Sequence, residues 1–225
     1  MCKMNDKVNT EFKQRKNKMI DKFCTFLVNK MRKEMPDIDE ERAEVITYGL
    51  QLIIGEIPKI FITLIIAYLL GVFKLACLTV IALTPYRVCS GGFHLKTHLG
   101  CVFSTTLYYC GVPLLAKYIT ISQNIEYILA LVIWVFGMIM VKLYAPADTE
   151  NVPILRESER KQKQILSYVM LTLGIVVSIL VKDSIISNIL LFGNLIQSMM
   201  ITRLAYRLTG SKYGYEVYQD ASQIS

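Results

Sequence analysis

The two histidines of the chain, His94 and His98, lie in one short segment that ends at Cys101. A cysteine attacks a carbonyl carbon as its thiolate, and a neighbouring imidazole can take the thiol proton and later protonate a leaving amine. These residue types in one segment therefore indicate nucleophilic catalysis on a peptide or another acyl compound. The ordinary alternative is that the histidines lie at a membrane interface and that the cysteine only packs.

Which histidine serves the cysteine depends on the backbone between them. If residues 94–101 formed one helix, His98 would share a face with Cys101, whereas His94 would lie about 10 Å along the axis. Three glycines weaken such a helix: Gly91, Gly92 and Gly100. A folded-back glycine-rich loop could place His94 on the thiol, and its amides could form an oxyanion hole. The residues alone leave both histidines open.

The same segment also contains ligand types that zinc accepts, in the pattern His94-x-x-x-His98-x-x-Cys101. Only three ligands cluster there, and the segment has no carboxylate to orient them. A zinc-dependent membrane hydrolase is therefore an alternative to a cysteine enzyme. We favour the cysteine enzyme and expect neither a metal nor a cofactor.

The elements that must position these residues are strongly apolar. The chain has 225 residues, of which 53% are hydrophobic and 19% are charged, a composition that does not suit a soluble globule. Its apolar residues form six long runs, several of them close to the roughly 20 residues that cross a bilayer as a helix. The runs are 46–73, 75–88, 101–119, 125–145, 165–181 and 185–206. We predict an all-α integral membrane protein with about six transmembrane helices.

The distribution of positive charge predicts the orientation of these spans. Lys and Arg near the ends of spans are retained on the cytoplasmic side of a membrane. If the N-terminus is inside, the outer connections hold only Lys74, Lys117 and Lys182. We therefore predict that both termini are inside, that the protein lies in the cell membrane, and that the Cys/His segment is at the cytoplasmic face.

The residues before the first apolar run form a basic leader. Its apolar residues recur at helical spacing among basic residues, which is typical of an amphipathic helix on an anionic membrane surface. A helix packed under the bundle is an equal alternative. We divide the chain into this leader at 1–43, a membrane catalytic domain at 44–208 and a short cytoplasmic tail at 209–225. The first apolar run begins only after this charged leader and lacks a small-residue cleavage signature, so we expect that it is not a removable signal peptide.

Two motifs, in this order, resemble the accessory gene regulator protein B (AgrB) family. The first reads Arg87-x-x-x-Gly91-Gly92-x-His94, with Cys101 seven residues after the histidine. The second follows the fourth run and reads Tyr144-Ala-Pro-Ala-Asp-Thr-Glu-Asn-Val-Pro153-Ile154. The resemblance covers essentially the whole chain.

The resemblance implies a membrane cysteine endopeptidase. Such an enzyme removes the C-terminal tail of an AgrD-like quorum-sensing precursor through an acyl-enzyme thioester, and promotes cyclisation of the remainder to a thiolactone or lactone. Carried over to the matching positions, it implies His94 and Cys101 as the catalytic pair. The supporting or substrate-binding candidates are Arg87, Gly91, Gly92, Gln51 and His98, of which Gln51 matches a polar residue of the first span.

The expected partners follow from the resemblance and from charge. The resemblance implies an AgrD-like precursor peptide and a homodimer, and a homodimer would also shield Glu56 and Lys59 of the first span from lipid. Basic residues in the leader and in 156–163 predict contact with anionic membrane lipid. We expect no nucleic-acid partner. The main alternative function is a peptide exporter without peptidase activity, which would keep working after replacement of Cys101.

Overall fold

A computed structural model describes residues 18–34, 40–95, 97–149, 153–154 and 156–217; for parts of the first two helices and for residue 98 it describes the backbone alone. These residues form helices in the following order: α1 Lys18–Glu34, α2 Glu40–Leu69, α3 Phe73–Ser90, α4 His98–Tyr118, α5 Gln123–Tyr144, α6 Glu157–Leu180, α7 Ser184–Met200 and α8 Arg203–Thr209. A further helical turn lies at 214–217. An isolated parallel β-bridge joins Gly91 and Ala147.

The helices confirm the predicted all-α, multi-pass membrane architecture. Four of them are long and apolar enough to cross a bilayer, α3, α4 from Leu99, α5 and α6, and α7 with α8 makes a fifth if the bent pair is one span. In α2, the apolar stretch Ile57–Leu69 is shorter than a span. The count of six, the orientation of the termini and the domain boundaries at 43 and 208 stay predictions.

The chain separates into two compact units, residues 1–61 and residues 62–225. In the first unit, α1 is the helix predicted for the leader, with Cys24 and Val28 buried and Phe23 and Phe26 exposed. Its placement on a membrane surface stays a prediction. The second unit contains the Cys/His segment.

Large apolar side chains on the outer faces of the second unit are exposed. Ile81, Phe103, Leu131 and Leu180 are each 60–73% exposed, although each lies in a long helix. A water-soluble bundle would bury such side chains, whereas a lipid bilayer solvates them. The exposed apolar surface therefore agrees with the hydropathy of the spans.

Helix α7 lies at the centre of the second unit, in contact with α3, α4, α5 and α6. Its buried residues include many small and polar side chains, which allow close approach of helices in membranes. The amides of Asn188 and Asn194 are satisfied by the carbonyl oxygens of Ile119 and Leu190, each at 2.8 Å. The central helix therefore contributes buried polar groups without leaving these donors unpaired.

The last apolar run, predicted as one span over 185–206, is broken in the structure. Helix α7 ends at Met200, and α8 leaves it at an angle of 72°. Thr202 causes the break locally, because its hydroxyl accepts from the amide of Ala205 and donates to the carbonyl of Met199. The unbroken-span prediction was therefore wrong at its C-terminal end.

Close packing of α3 on α7 predicts a strong effect at Gly193. A Cβ at this position would overlap Cδ1 of the buried Leu83 and lie 2.9 Å from its Cδ2. We expect Gly193→Ala to lower the free energy of unfolding by about 1–3 kcal/mol through overpacking. Thermal unfolding in detergent measures this change.

Gly111→Ala is the matched control, because the nearest atom to a Cβ there is Cδ1 of Leu107 at an ordinary 3.7 Å. Alanine favours helix over glycine by about 0.5–1 kcal/mol, so this variant should be neutral or more stable. Equal destabilisation of both variants would contradict close packing at Gly193.

Candidate functional site

Cys101 lies in the first turn of α4. The Thr97 hydroxyl caps the helix by accepting from the Gly100 amide at 3.1 Å, and the Cys101 amide donates to the Thr97 carbonyl at 3.0 Å. The cysteine is 9% exposed. A helix N-terminus favours nearby negative charge because its amides point outward. The thiol is therefore fixed at the end of a helix that suits an anionic sulfur or oxygen.

His94 reaches this thiol from an extended segment. The Sγ of Cys101 and the Nδ1 of His94 are 3.7 Å apart, within the range of a hydrogen bond to sulfur. His94 is exposed, whereas Cys101 is buried. Because α4 begins at residue 98, residues 94–101 are not one helix, so the 10 Å separation that counted against His94 does not apply, while His98 and Cys101 still lie one turn apart on α4. The side chain of His98 lies outside the described atoms, so its distance from the thiol stays open.

Gly91 and Gly92 turn the chain from α3 toward His94. Their φ angles are +76° and +146°, a region that favours glycine. The Gly92 amide donates to the Ala147 carbonyl at 2.9 Å, and the Ala147 amide donates to the Ser90 carbonyl at 2.8 Å. A Cβ on Gly91 would overlap the Ala147 carbonyl oxygen. The turn therefore depends on contact between the two sequence motifs.

The Arg87 side chain lies against the same turn. Its Nη1 donates to Gln197 Oε1 at 3.3 Å, and its guanidinium carbon lies 5.7 Å from the centre of the Tyr108 ring. Gln197, which is fully buried on α7, donates through Nε2 to Ser90 Oγ at 2.9 Å and to the Gly91 carbonyl at 2.8 Å. One amide side chain thus links Arg87 to the glycine turn. A contact of Arg87 with substrate stays a prediction.

Comparison with known proteins agrees with the two motifs. The family model Accessory gene regulator B matches residues 24–201. Accessory gene regulator protein B of Staphylococcus aureus (strain JH9) is 30% identical over 182 residues, 81% of this chain and 91% of the relative. The chain belongs to the accessory gene regulator B family. A putative AgrB-like protein of Listeria monocytogenes (serovar 1/2a) is 29% identical, over 80% of this chain and 87% of that protein.

No solved structure is significantly similar to this AgrB-family chain. Membership of the family implies involvement in processing the quorum-sensing peptide of an accessory gene regulator system, together with the AgrD precursor. The predicted family is therefore confirmed. The reaction and the roles of individual residues are separate questions.

The second AgrB motif contains a buried carboxylate, Asp148, whose side chain is 0% exposed. Its Oδ2 accepts from the amides of Ile154 and Tyr215, both at 2.9 Å, and lies 3.3 Å from Arg160 Nη1. Among the described residues its Oδ1 has no hydrogen-bond partner. The carboxylate therefore joins the second motif to α6 and to the C-terminal segment.

The C-terminal segment also contacts the two motifs. The Tyr206 hydroxyl donates to the carbonyl of Ala147, the same oxygen that receives the Gly92 amide, at 2.9 Å. Ser211 Oγ donates to the His94 carbonyl at 2.8 Å. Tyr213 stacks on Tyr206, and burial raises the pKa of Tyr213, which keeps its phenol a donor to a backbone carbonyl. The tail thus supports the backbone that carries His94.

The sequence analysis did not assign roles to four residues of this arrangement, although sequence features pointed to some of them. The missed residues are Asp148, Gln197, Tyr206 and Ser211. A glutamine in an apolar run is costly in lipid, so the sequence could have predicted a buried polar contact at Gln197. Asp148 stood inside a motif without an assigned role, while nothing in the sequence links Ser211 to His94.

The described side chains do not test two of the predictions, the role of Gln51 and the zinc site. Gln51 is on α2 in the first unit, and its side chain is outside the described atoms. Among side chains that the structure does describe, no three His, Cys, Asp or Glu residues gather as metal ligands. Because the His98 side chain is not one of these, the zinc alternative is left to experiment.

The contact between Gly91 and Ala147 predicts a position-specific effect of a methyl group. Gly91→Ala should lose more stability than Gly71→Ala, which also has a positive φ, +68°, but no atom within 4 Å of a Cβ. The left-handed conformation alone costs about 1–2 kcal/mol for an alanine. Thermal unfolding measures the stability of the two variants, and peptide mapping after alkylation measures how accessible Cys101 is in each. Equal effects would show that the methyl group meets no obstacle at Gly91.

The buried Asp148 predicts a large effect of losing its charge. Asp148→Asn should destabilise the protein by about 3 kcal/mol, because Arg160 then keeps a partly buried charge without its partner. The control is Glu159→Gln, which removes an exposed ion pair to Arg156 and should change stability by less than about 1 kcal/mol. The unfolding midpoints of the two variants are measured in detergent. Similar shifts in the two midpoints would rule out a structural role for the buried pair of Asp148 and Arg160.

Proposed function

We propose that this AgrB-family chain is a membrane cysteine endopeptidase. It cleaves the C-terminal tail from an AgrD-like precursor and promotes cyclisation of the remainder to a thiolactone or lactone. The observation that carries the proposal is the 3.7 Å contact between Cys101 Sγ and His94 Nδ1, inside a motif of the matched family. The surrounding turn supports it, because the hydrogen bonds of Gly92, Ala147 and Gln197 fix the segment that leads to the histidine.

In the first step His94 takes the thiol proton, and the sulfur of Cys101 attacks the carbonyl carbon at the cleavage junction. The carbon–nitrogen bond then breaks, and the imidazolium returns its proton to the leaving amine. The tail departs with a free amino group, and the remainder stays on the sulfur as a thioester. A contact of 3.7 Å before substrate binds is compatible with this role, because catalytic hydrogen bonds tighten in the reacting complex.

The oxyanion of the tetrahedral intermediate needs donors. The first amides of α4, those of residues 98 and 99, have no acceptor within the helix. They lie at its positive end, one turn from the sulfur. We assign the oxyanion to these amides, because preorganised donors stabilise charge that develops in the transition state.

In the second step a thiol or hydroxyl of the precursor attacks the thioester, with His94 as the base. The new bond closes the ring, and the Cys101 thiol is regenerated with the proton from the attacking group. For a thiol, one thioester replaces another, so the exchange is close to balanced. Water competes for the thioester, and the small exposure of Cys101, 9%, favours an attacking group held by the enzyme.

The remaining roles follow from charge and position. We propose that Arg87 orients a substrate carbonyl or carboxylate at the edge of the site, since this residue is only partly buried. The site lies at the cytoplasmic face in the proposed topology, with both termini inside. A homodimer, with Gln51 near the substrate path, completes the proposal. Anionic lipid around the basic leader is a further part of it.

Intact-protein mass spectrometry tests the reaction. The protein is reconstituted in lipid vesicles and incubated with a candidate precursor. We expect a precursor fragment joined to Cys101, no fragment on Cys101→Ala, and a rate for His94→Ala that is lower by about 10²–10⁴-fold, as for loss of a general base. Cys89→Ala is the matched cysteine control and should behave as the unmodified protein does.

The other outcomes select between alternatives. A loss with His98→Ala and none with His94→Ala would assign the base to His98. Activity that disappears with a chelator and returns with zinc would favour the hydrolase. If no adduct or released tail forms while Cys101→Ala still moves peptide across the vesicle membrane, the protein is an exporter and not a peptidase.

A further inference from the structure

A cleft lies between α8 and the segment that follows it. Its volume is about 490 Å³, and its lining includes three cations, one carboxylate and two tyrosines. The charged groups are Arg203, Arg207, Lys212 and Glu216. Helix α8, which forms one wall of the cleft, follows the 72° bend at the end of the apolar helix α7. It is distinct from the Cys101 thiol but lies on the same segment that contacts His94.

The charges of this cleft are not balanced. Arg203 pairs with Glu216, whereas Arg207 and Lys212 make no ion pair with any described residue. Both of these cations are exposed. A guanidinium beside an ammonium suits an anion with several oxygens, since each can donate to more than one of them.

The same helix exposes two leucines. Leu204 is 67% exposed and Leu208 is 79% exposed, and they lie one helical turn apart, next in sequence to Arg203 and Arg207. Exposing apolar surface to water is unfavourable. A short helix with leucines beside arginines at the end of a membrane helix is typical of a segment in the interfacial region. The leucines do not line the cleft but follow two of its lining residues on the same helix, so an occupant that covers both surfaces is anionic at one end and apolar at the other.

We propose that the cleft binds the phosphate of an anionic phospholipid, with Arg207 and Lys212 as its ligands and the acyl chains along Leu204 and Leu208. A free phosphate would satisfy the cations but leave the leucines exposed. An acidic soluble peptide would likewise leave the leucines exposed. A phospholipid satisfies both requirements with one molecule.

The bound lipid has a direct connection to the candidate active site. Ser211 lines the cleft and donates to the His94 carbonyl, and Tyr206 lines it and donates to the Ala147 carbonyl. Lipid that holds α8 and residues 211–217 together therefore stabilises the backbone of His94. This effect on catalysis rests on the proposed function, whereas the lipid site itself does not.

Native mass spectrometry tests the site without any precursor. The full chain is released from nanodiscs that contain phosphatidylcholine and phosphatidylglycerol, and the retained phosphatidylglycerol is counted. We expect retained lipid, and a loss of about tenfold in the double variant Arg207→Gln and Lys212→Gln. The charge-matched control is Lys117→Gln and Lys182→Gln, two exposed cations outside the cleft, and it should retain lipid normally.

Further arms separate the sources of the anion. Leu204→Ser with Leu208→Ser should also reduce retention, although both cations remain. Glycerol phosphate and an acidic peptide should not displace the lipid at equal concentration. Equal loss in the control variant, unchanged retention in the Arg207 and Lys212 variant, or displacement by either soluble anion would overturn the proposal. Because Cys101 takes no part in this measurement, its outcome is independent of the proposed function.

Discussion

The pairing of Gly91 and Gly92 with Ala147 is the constraint on which the rest of the second unit depends. Two backbone hydrogen bonds, of 2.9 Å and 2.8 Å, join the end of α3 to the loop after α5. Helices that pack through side chains tolerate small shifts, but a backbone pair fixes both register and direction. The pair leaves no room for a Cβ at Gly91. It therefore sets the course of the chain toward His94.

Around this pair, polar groups are placed where an apolar environment makes unpaired donors costly. Gln197 satisfies the Gly91 carbonyl from one side, and Tyr206 adds a second donor to the Ala147 carbonyl from another. Gln197 lies on α7 and Tyr206 on α8, so the bend between these helices allows both side chains to reach the loop. A straight span through 206 would carry Tyr206 away from the loop. The break in the helix and the turn before His94 thus belong to one arrangement.

The sequence predicted the helices well because long apolar runs have few alternatives in lipid. It also predicted which segment matters, since histidines are absent elsewhere in the chain. It left the choice between His94 and His98 open, because the position of His94 depends on the path of the glycine turn before α4. The hydrogen bonds between Tyr215 and Asp148 and between Ser211 and His94 could not be predicted from the sequence. Their partners are 67 and 117 positions apart, and each bond joins a side chain to a backbone atom, for which the sequence has no local pattern.

The contrast in exposure between the two candidate catalytic residues bears on which reaction the site suits. An exposed imidazole can exchange protons with solvent, while a buried sulfur keeps an acyl group away from bulk water. A hydrolase has no need of this protection, because water is its second substrate. A cyclising enzyme does need it, because hydrolysis of the thioester would waste the activated carbonyl before the ring closes. In the proposed reaction, the buried position of Cys101 in the first turn of α4 would therefore suit transfer better than hydrolysis.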